Sequence, residues 1–287
     1  FKQINKFFEK YNKIKGIEAN LIDNIYNNYP YVSKPFFSLS REIVGESHLT
    51  KIKKAASIIK KKKSNYLFIT APENVAWLLN IRGNDNPNSP IPNCRAIIDS
   101  DREIFLICEK KKAQNLIKEK KIKKENLILP KDFKSFIKKL KKNKIIIDEK
   151  SCSIFYENIL KERFSIINKV DPIYLMKSIK NKVEIDHTIN SHIFDGIALT
   201  KFLYWIKNKN KKEINEYQAQ SKLENFRKKN KDYLYPSFNT IAGTAENAAI
   251  VHYRATKKNT KKIKKKDIFL CDSGGQYKYG TTDVTRT

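Results

Sequence analysis

The fold is decided by the stretch Asp267-Ile-Phe-Leu-Cys-Asp-Ser-Gly-Gly-Gln-Tyr-Lys-Tyr-Gly-Thr-Thr-Asp-Val-Thr-Arg-Thr287. An apolar, β-prone run from Ile268 to Leu270 leads into glycines and polar residues, then into a Thr/Val-rich run, which is the pattern of a β-hairpin. Asp272 and Asp283 lie eleven apart, so their midpoint falls between Tyr277 and Lys278. With those two residues as the loop, Asp272 faces Asp283 across an antiparallel ladder, β-carbons about 4.5–5.5 Å apart. Two carboxylates that close repel unless a proton or a metal lies between them. The same pair also reads as two solvated acids beside a turn. Gly274, Gly275 and Gly280 crowd the hairpin, where a glycine permits a bend or the close approach of another group. Cys271, next to Asp272, points to the opposite face of the strand and behaves as a small hydrophobe.

The chain is strongly basic: 59 Lys and Arg against 30 Asp and Glu give +29 at pH 7. Such a charge invites a nucleic-acid reading. The lysines do not form one stripe, however. They recur in every segment among Ile and Asn, as the coding sequence of an A/T-rich genome produces. In Lys51-Ile-Lys-Lys-Ala-Ala-Ser-Ile-Ile-Lys60, Ile52, Ala55, Ala56 and Ile59 keep helical spacing, and the lysines on the other face read as solvated. A specific nucleic-acid partner is therefore not expected, although salt-sensitive polyanion binding is. No apolar run approaches the roughly 18–20 residues that span a bilayer, so no membrane partner is expected. Phe1 to Lys15 interleaves charge with aromatics, unlike a signal peptide. Cys94, Cys108, Cys152 and Cys271 form no C-x-x-C pair and no zinc or disulfide framework, so a reduced, cytoplasmic protein is the default.

A length of 287 residues leaves room for two domains. Residues 1–44 read as a tail and a linker around Pro30 and Pro35. Residues 45–170 read as one α/β domain. Its helices fall at Lys51–Lys62, Glu73–Leu79 behind Pro72, Lys111–Lys120, Phe133–Lys142 and Ile154–Arg163. Its strands fall at Tyr66–Thr70, Ala96–Ile98, Ile104–Ile107 and Lys144–Asp148, the middle two forming a hairpin over Asp99-Ser-Asp-Arg102. Arg82 and Asp85 read as a loop ion pair or as the border of a site. Asp171-Pro172 marks the start of a second region, 171–287. There Ile185, Ile189, Ile193 and Ile197, four apart, predict a long helix, within which Gly196 implies close packing. His187 and His192, five apart, sit about 140° round that helix and cannot chelate one metal. A second helix is expected over Glu213–Lys229, then strands at Phe238–Ala242 and Ile250–Tyr253, a charged loop over Lys257–Lys266, and the hairpin.

The motif D-S-G-G-Q-Y-x-x-G-T-T-D-V-T-R-T resembles the signature of the aminopeptidase P (Xaa-Pro aminopeptidase) branch of the creatinase/prolidase, or pita-bread, superfamily. The resemblance implies that Asp272 and Asp283 are ligands of a dinuclear metal centre, one of them bridging both metals. Trp77-Leu-Leu-Asn-Ile-Arg-Gly-Asn-Asp85 resembles a stretch of the family's second domain, and Asn239–Arg254 resembles the segment that carries a family histidine at the place of His252. His252 is thereby implied to bind substrate and to serve catalysis by stabilising the intermediate. The implied fold class is α/β (α+β): a tail of a missing N-terminal domain (1–44), a creatinase-type α/β second domain (45–170), and the N-terminal half of a pita-bread catalytic domain (171–287). The implied activity is a metal-dependent aminopeptidase that releases the first residue from peptides with proline second, by a hydroxide activated by two divalent metal ions. Hard oxygen ligands suit Mn²⁺ first, and Zn²⁺ or Co²⁺ as well. The implied partners are proline-containing peptides and, at full length, a second copy in a homodimer. The family completes its site with one His and two Glu further along, and no residue past Thr287 fills those places. The 287 residues alone are therefore expected to show no peptidase activity. An alternative from another class is a catalytically silent pita-bread module for protein interaction or nucleic-acid binding; the presence of both aspartates favours the enzyme.

Overall fold

The computed structural model describes residues 2–14, 17, 21–26, 34–141, 143–208 and 214–287. Pro30 of the expected linker and Glu213 of the expected second helix lie outside the described residues. The chain divides into two compact units. The first comprises the described residues up to Ser38 with Ser47–Asp85 and Ile91–Ile179, and the second comprises Leu39–Glu46, Asn86–Pro90 and Lys180–Thr287.

The first unit runs α1 (His48–Lys61), β1 (Tyr66–Ile69), α2 (Pro72–Leu79), β2 (Arg95–Asp99), β3 (Ile104–Ile107), α3 (Lys110–Lys118), β4 (Leu127–Ile128), α4 (Phe133–Lys139), β5 (Lys144–Ile147), α5 (Ile154–Lys161), β6 (Ser165–Asn168) and α6 (Pro172–Ser178). Its six-stranded mixed sheet has the order β4-β3-β2-β1-β5-β6, with β2 antiparallel to both neighbours and the remaining pairs parallel. Leu67, Ile69, Ala96, Ile98 and Ile146 enter one core with residues of α1, α2, α3 and α6. Tyr66, Phe68, Ile97, Ile145 and Ile147 enter the opposite core with α4 and α5. Successive strand residues alternate faces, so a sheet covered on both sides demands unbroken apolar runs, and Tyr66–Ile69 and Ile145–Ile147 are such runs.

Three details depart from the sequence expectation. Lys51 is not solvated: it is fully buried, and its Nζ donates to Asn80 Oδ1 (2.7 Å) and Trp77 O (3.1 Å) while lying 3.9 Å from the Trp77 ring centroid. A ring face and two carbonyl oxygens replace the water that a buried ammonium loses. Arg82 and Asp85 do not pair. The Asp85 carboxylate accepts instead from Lys112 Nζ at 2.5 Å in a buried pair, and Arg82 donates to Ile81 O and Ala76 O. The first unit also continues past Asp171-Pro172 to Ile179, because Ile173 of α6 is buried in the α1/α2 core. Asp171 caps that helix, its Oδ1 accepting from Ile173 N at 2.9 Å.

The second unit contains α7 (Lys182–Asn208), α8 (Glu216–Arg227), β7 (Tyr233–Pro236), β8 (Ile241–Thr244), β9 (Phe269–Ser273), β10 (Gly275–Tyr277) and β11 (Val284–Arg286). β8-β9-β11 is an antiparallel sheet, and β10 pairs with β7 in a second, two-stranded one. Leu199 and Phe202 of α7 and Ala219 and Leu223 of α8 pack with Phe269, Cys271 and Val284 on one face of the three-stranded sheet. The α7 isoleucines do form a helical stripe, but 41–52% of each is exposed; the side turned to the sheet carries Ser191, Asp195, Ala198, Leu199 and Phe202. Periodicity specifies a helix without specifying which stripe is covered. Gly196 sits on the open side, where an added Cβ meets nothing within 4 Å, so the expected close packing is absent there. Among the described residues no helix is long and apolar enough to cross a membrane.

Asp171 gives the first unit a pH signature. Burial, with a smaller contribution from Asp148, pushes its carboxyl up from 3.8 to about 6. The folded chain then keeps a proton that the unfolded chain releases, so stability falls as pH rises through that window. Relative to Asp171→Asn, the wild-type unfolding free energy should drop by about 2–3 kcal/mol between pH 4 and pH 7. Urea unfolding followed by Trp77 fluorescence in a Trp205→Phe background measures this. Parallel pH profiles would contradict it.

Candidate metal centre

β9 leaves its sheet at Gly274 and continues as β10, paired with β7. A Cβ at Gly274 would overlap Thr282 O and Ser237 Oγ, so this crossing point accepts only glycine. The hairpin turns over Lys278 and Tyr279, closed by Tyr277 N–H donating to Gly280 O at 2.8 Å. That is one residue later than the Tyr277–Lys278 loop read from the sequence, so the register differs by two. Asp272 opposes Thr285 and Ser273 opposes Val284, and Asp272 does not face Asp283 directly. The reason is Tyr277: it is 1% exposed and donates its hydroxyl to Asp195 Oδ1 at 2.9 Å, so it cannot be a turn residue.

A slip of two residues keeps every side chain on its face, whereas a slip of one would invert them. Cys271, Ser273 and Val284 turn toward the helices; Asp272 and Thr285 turn the other way, and alternation assigns Asp283 to their side. The two aspartates are thus diagonal neighbours. Oδ1 of Asp272 is buried and has no hydrogen-bond partner, and Asp283 is exposed. A buried carboxylate oxygen without a donor is costly, and a cation relieves that cost. Two hard oxygen donors, one of them orphaned, fit a divalent cation. Among the described residues, however, no group of three or more His, Cys, Asp or Glu is arranged to hold a metal ion. Burial pushes the Cys271 thiol up to about 11, which leaves it a neutral apolar residue on the far face.

His252 does not lie in a strand. Ile250–Tyr253 is a turn in which Tyr253 N–H donates to Ile250 O at 3.1 Å. His252 is exposed at its third position, with φ +55°, the left-handed value such a turn requires there. The β-prone Ile-Val-His-Tyr run is overridden by polar contacts at either end of the turn. His187 and His192 are not brought to the hairpin carboxylates: His187 Nε2 lies 3.2 Å from Glu42 O, and His192 Nδ1 lies 2.8 Å from Thr188 O on its own helix.

Behind the hairpin lies a buried network that the sequence reading missed. Arg227 of α8 grips Asp195 of α7 with two hydrogen bonds, Nε to Oδ1 at 2.7 Å and a terminal nitrogen to Oδ2 at 3.1 Å. The same terminal nitrogen donates to Ser273 Oγ at 3.0 Å. Burial and the Asp195 carboxylate both push the Tyr277 hydroxyl up, so it remains a donor. The available signal was an acid at 195 among Ser191, Ala198, Leu199 and Phe202, all on one helical face.

The matches to known families and structures agree with this layout. Residues 28–184 match the Creatinase/Prolidase N-terminal domain, and residues 187–287 match Metallopeptidase family M24. The chain belongs to the creatinase/prolidase family. This creatinase/prolidase-family chain is 34% identical to the probable Xaa-Pro aminopeptidase P of Laccaria bicolor over 97% of its own length and 44% of the relative's. It is also 34% identical to Xaa-Pro aminopeptidase ApepP of Drosophila melanogaster, over 94% of this chain and 45% of that one. The crystal structure of X-prolyl aminopeptidase from Caenorhabditis elegans, described as a cytosolic enzyme with a di-nuclear active site, superposes with a TM-score of 0.86 at 26% identity. That match covers 99% of this chain and 48% of the other. The chain therefore spans about half the length of the relatives it matches.

The Arg227–Asp195 pair predicts an asymmetry. Asp195→Ala strands a buried guanidinium and should cost about 3–5 kcal/mol, whereas Asp195→Leu combined with Arg227→Met removes both charges and should cost less than either single change. Urea unfolding followed by Trp205 fluorescence in a Trp77→Phe background distinguishes the two. A double variant at least as unstable as either single change would contradict the prediction.

Proposed function

We propose that this chain supplies part of the active site of a proline-specific metalloaminopeptidase, which releases the first residue from peptides with proline in second place. The observation that carries the reading is the orphaned, buried Oδ1 of Asp272 on the same face as Asp283. Asp272 and Asp283 would hold a pair of divalent cations, Mn²⁺ suiting hard carboxylate oxygens, with Zn²⁺ or Co²⁺ as substitutes. When bound, the cations supply Lewis acidity toward the scissile carbonyl and lower the pKa of the attacking water.

The chain's own groups do the rest. The two carboxylates concentrate cations on one face of the hairpin, against a background of +29. His252, exposed on its turn, offers a ring N–H to the substrate carbonyl and to the negative charge that develops on its oxygen. The preference for proline is a preference for a scissile amide with no N–H and a fixed ring, so recognition rests on ring shape and the carbonyl rather than on an amide donor. The family resemblance and the described cytosolic C. elegans enzyme support a cytosolic peptidase, and four unpaired, buried cysteines accord with a reducing compartment.

The test is hydrolysis of an Xaa-Pro tripeptide by the protein that its gene encodes, with Mn²⁺ present. Asp272→Asn and Asp283→Asn should each lower kcat/KM by more than ~100-fold, beyond what supporting residues of metal sites usually cost. His252→Ala should lower kcat and kcat/KM together, as loss of a transition-state contact does. The 287 residues alone, with two donors, should not turn over. Cleavage unaffected by Asp272→Asn would overturn the reading.

A further inference from the structure

A second buried carboxylate is solvated entirely by hydrogen bonds. Glu216, the first residue of α8, has no exposed surface. Its Oε1 accepts from Thr244 N (2.8 Å) and Asn247 Nδ2 (3.0 Å), and its Oε2 from Tyr253 OH (2.8 Å) and Lys261 N (2.8 Å). Its own N–H donates back to Lys261 O at 3.1 Å. Each oxygen therefore takes one backbone N–H, and neither of those donors can turn away. An amide would set its NH₂ against one of them, so the position requires a carboxylate.

Two of those partners flank the turn of His252. Ile250 N–H donates to Asn247 O at 3.2 Å, and Tyr253 is the residue after His252. The Asn247 side chain also donates to Tyr253 Oη at 3.0 Å, which closes a ring of contacts around the carboxylate. The segment Asn247–Tyr253 is thus pinned at both ends to one side chain, and the residue between the pins with a left-handed backbone is His252. L-residues adopt that conformation rarely, and they keep it where the surroundings over-determine it.

We infer that Glu216 is a positioning residue, which holds the His252 imidazole in its working orientation through Asn247 and Tyr253. The inference rests on the catalytic reading of His252 for its purpose, but not for its geometry. Tyr253 OH is the direct tether, and Glu216 is its anchor. The contacts made by Glu216 lie on the end of β8, the short helix Ala245–Ala249 and the lysine-rich loop, so one carboxylate ties the histidine to all three.

Multidimensional NMR of the ¹³C/¹⁵N-labelled chain reads this directly, because the sequence has four histidines and His252→Asn assigns the signal in question. In Tyr253→Phe, the His252 Cα and Cβ shifts should move from left-handed toward random-coil values and its ring signals should broaden, while those of His48, His187 and His192 stay in place. Glu216→Gln should do the same at His252 and add changes at Thr244 and Lys261. Glu246→Gln, which breaks the exposed pair with Lys261 Nζ, should leave His252 unchanged. His252 shifts identical to wild type in Tyr253→Phe overturn the inference, and so does a change of equal size at all four histidines, which marks general loosening. A folded Glu216→Gln with His252 shifts identical to wild type overturns the inference as well, and where that variant does not fold Tyr253→Phe carries the decision. The readout is conformation, so failure of peptidase activity and failure of this inference are separable.

Discussion

A buried ion pair, Arg227 with Asp195, sets the position of everything the second unit presents on its other face. Two charges in the interior lose their hydration, and their attraction offsets that loss only when geometry is good and the remaining polar atoms find partners. Here the guanidinium is bidentate, and Ser273 and Tyr277 take up further valences, which leaves one terminal nitrogen of Arg227 without a hydrogen-bond partner. These two residues belong to β9 and β10, on either side of Gly274. The pair therefore fixes the strand that carries Asp272 and the strand that leads to the turn. With Tyr277 held inside, the turn falls on Lys278–Tyr279, the register follows, and both aspartates emerge on one face.

Glu216 solves the same problem with no cation. It sits at a helix N-terminus, where the dipole favours a negative charge, and backbone and side-chain donors replace water. One buried acid thus organises the back of the hairpin and another organises the loops around it. Neither is visible in the +29 formal charge, whose lysines sit mostly outside.

Much of the architecture was legible. The unbroken apolar runs at Tyr66–Ile69 and Ile145–Ile147 announce strands covered on both faces, and the hairpin over Asp99–Arg102 has its turn residues in place. Leu127–Ile128 was not legible, because two residues become a strand only through a parallel neighbour. Ile250–Tyr253 reads as a strand on propensity and is a turn because Glu216 and Asn247 capture its polar ends. Lys51, Asp195 and Arg227 look like surface residues, and only three-dimensional pairing reveals them as interior. At the site, the hairpin and the shared face of the aspartates were readable from spacing and parity. The register was not, because it depends on a tyrosine anchored to a distant helix.

The most direct measurement is paramagnetic broadening of the amide spectrum of the chain by substoichiometric Mn²⁺. With both aspartates on one face of the hairpin, signals of Leu270–Ser273 and Thr282–Thr285 vanish first, and Asp272→Asn restores them. Broadening that is absent there, or that survives Asp272→Asn unchanged, contradicts the account.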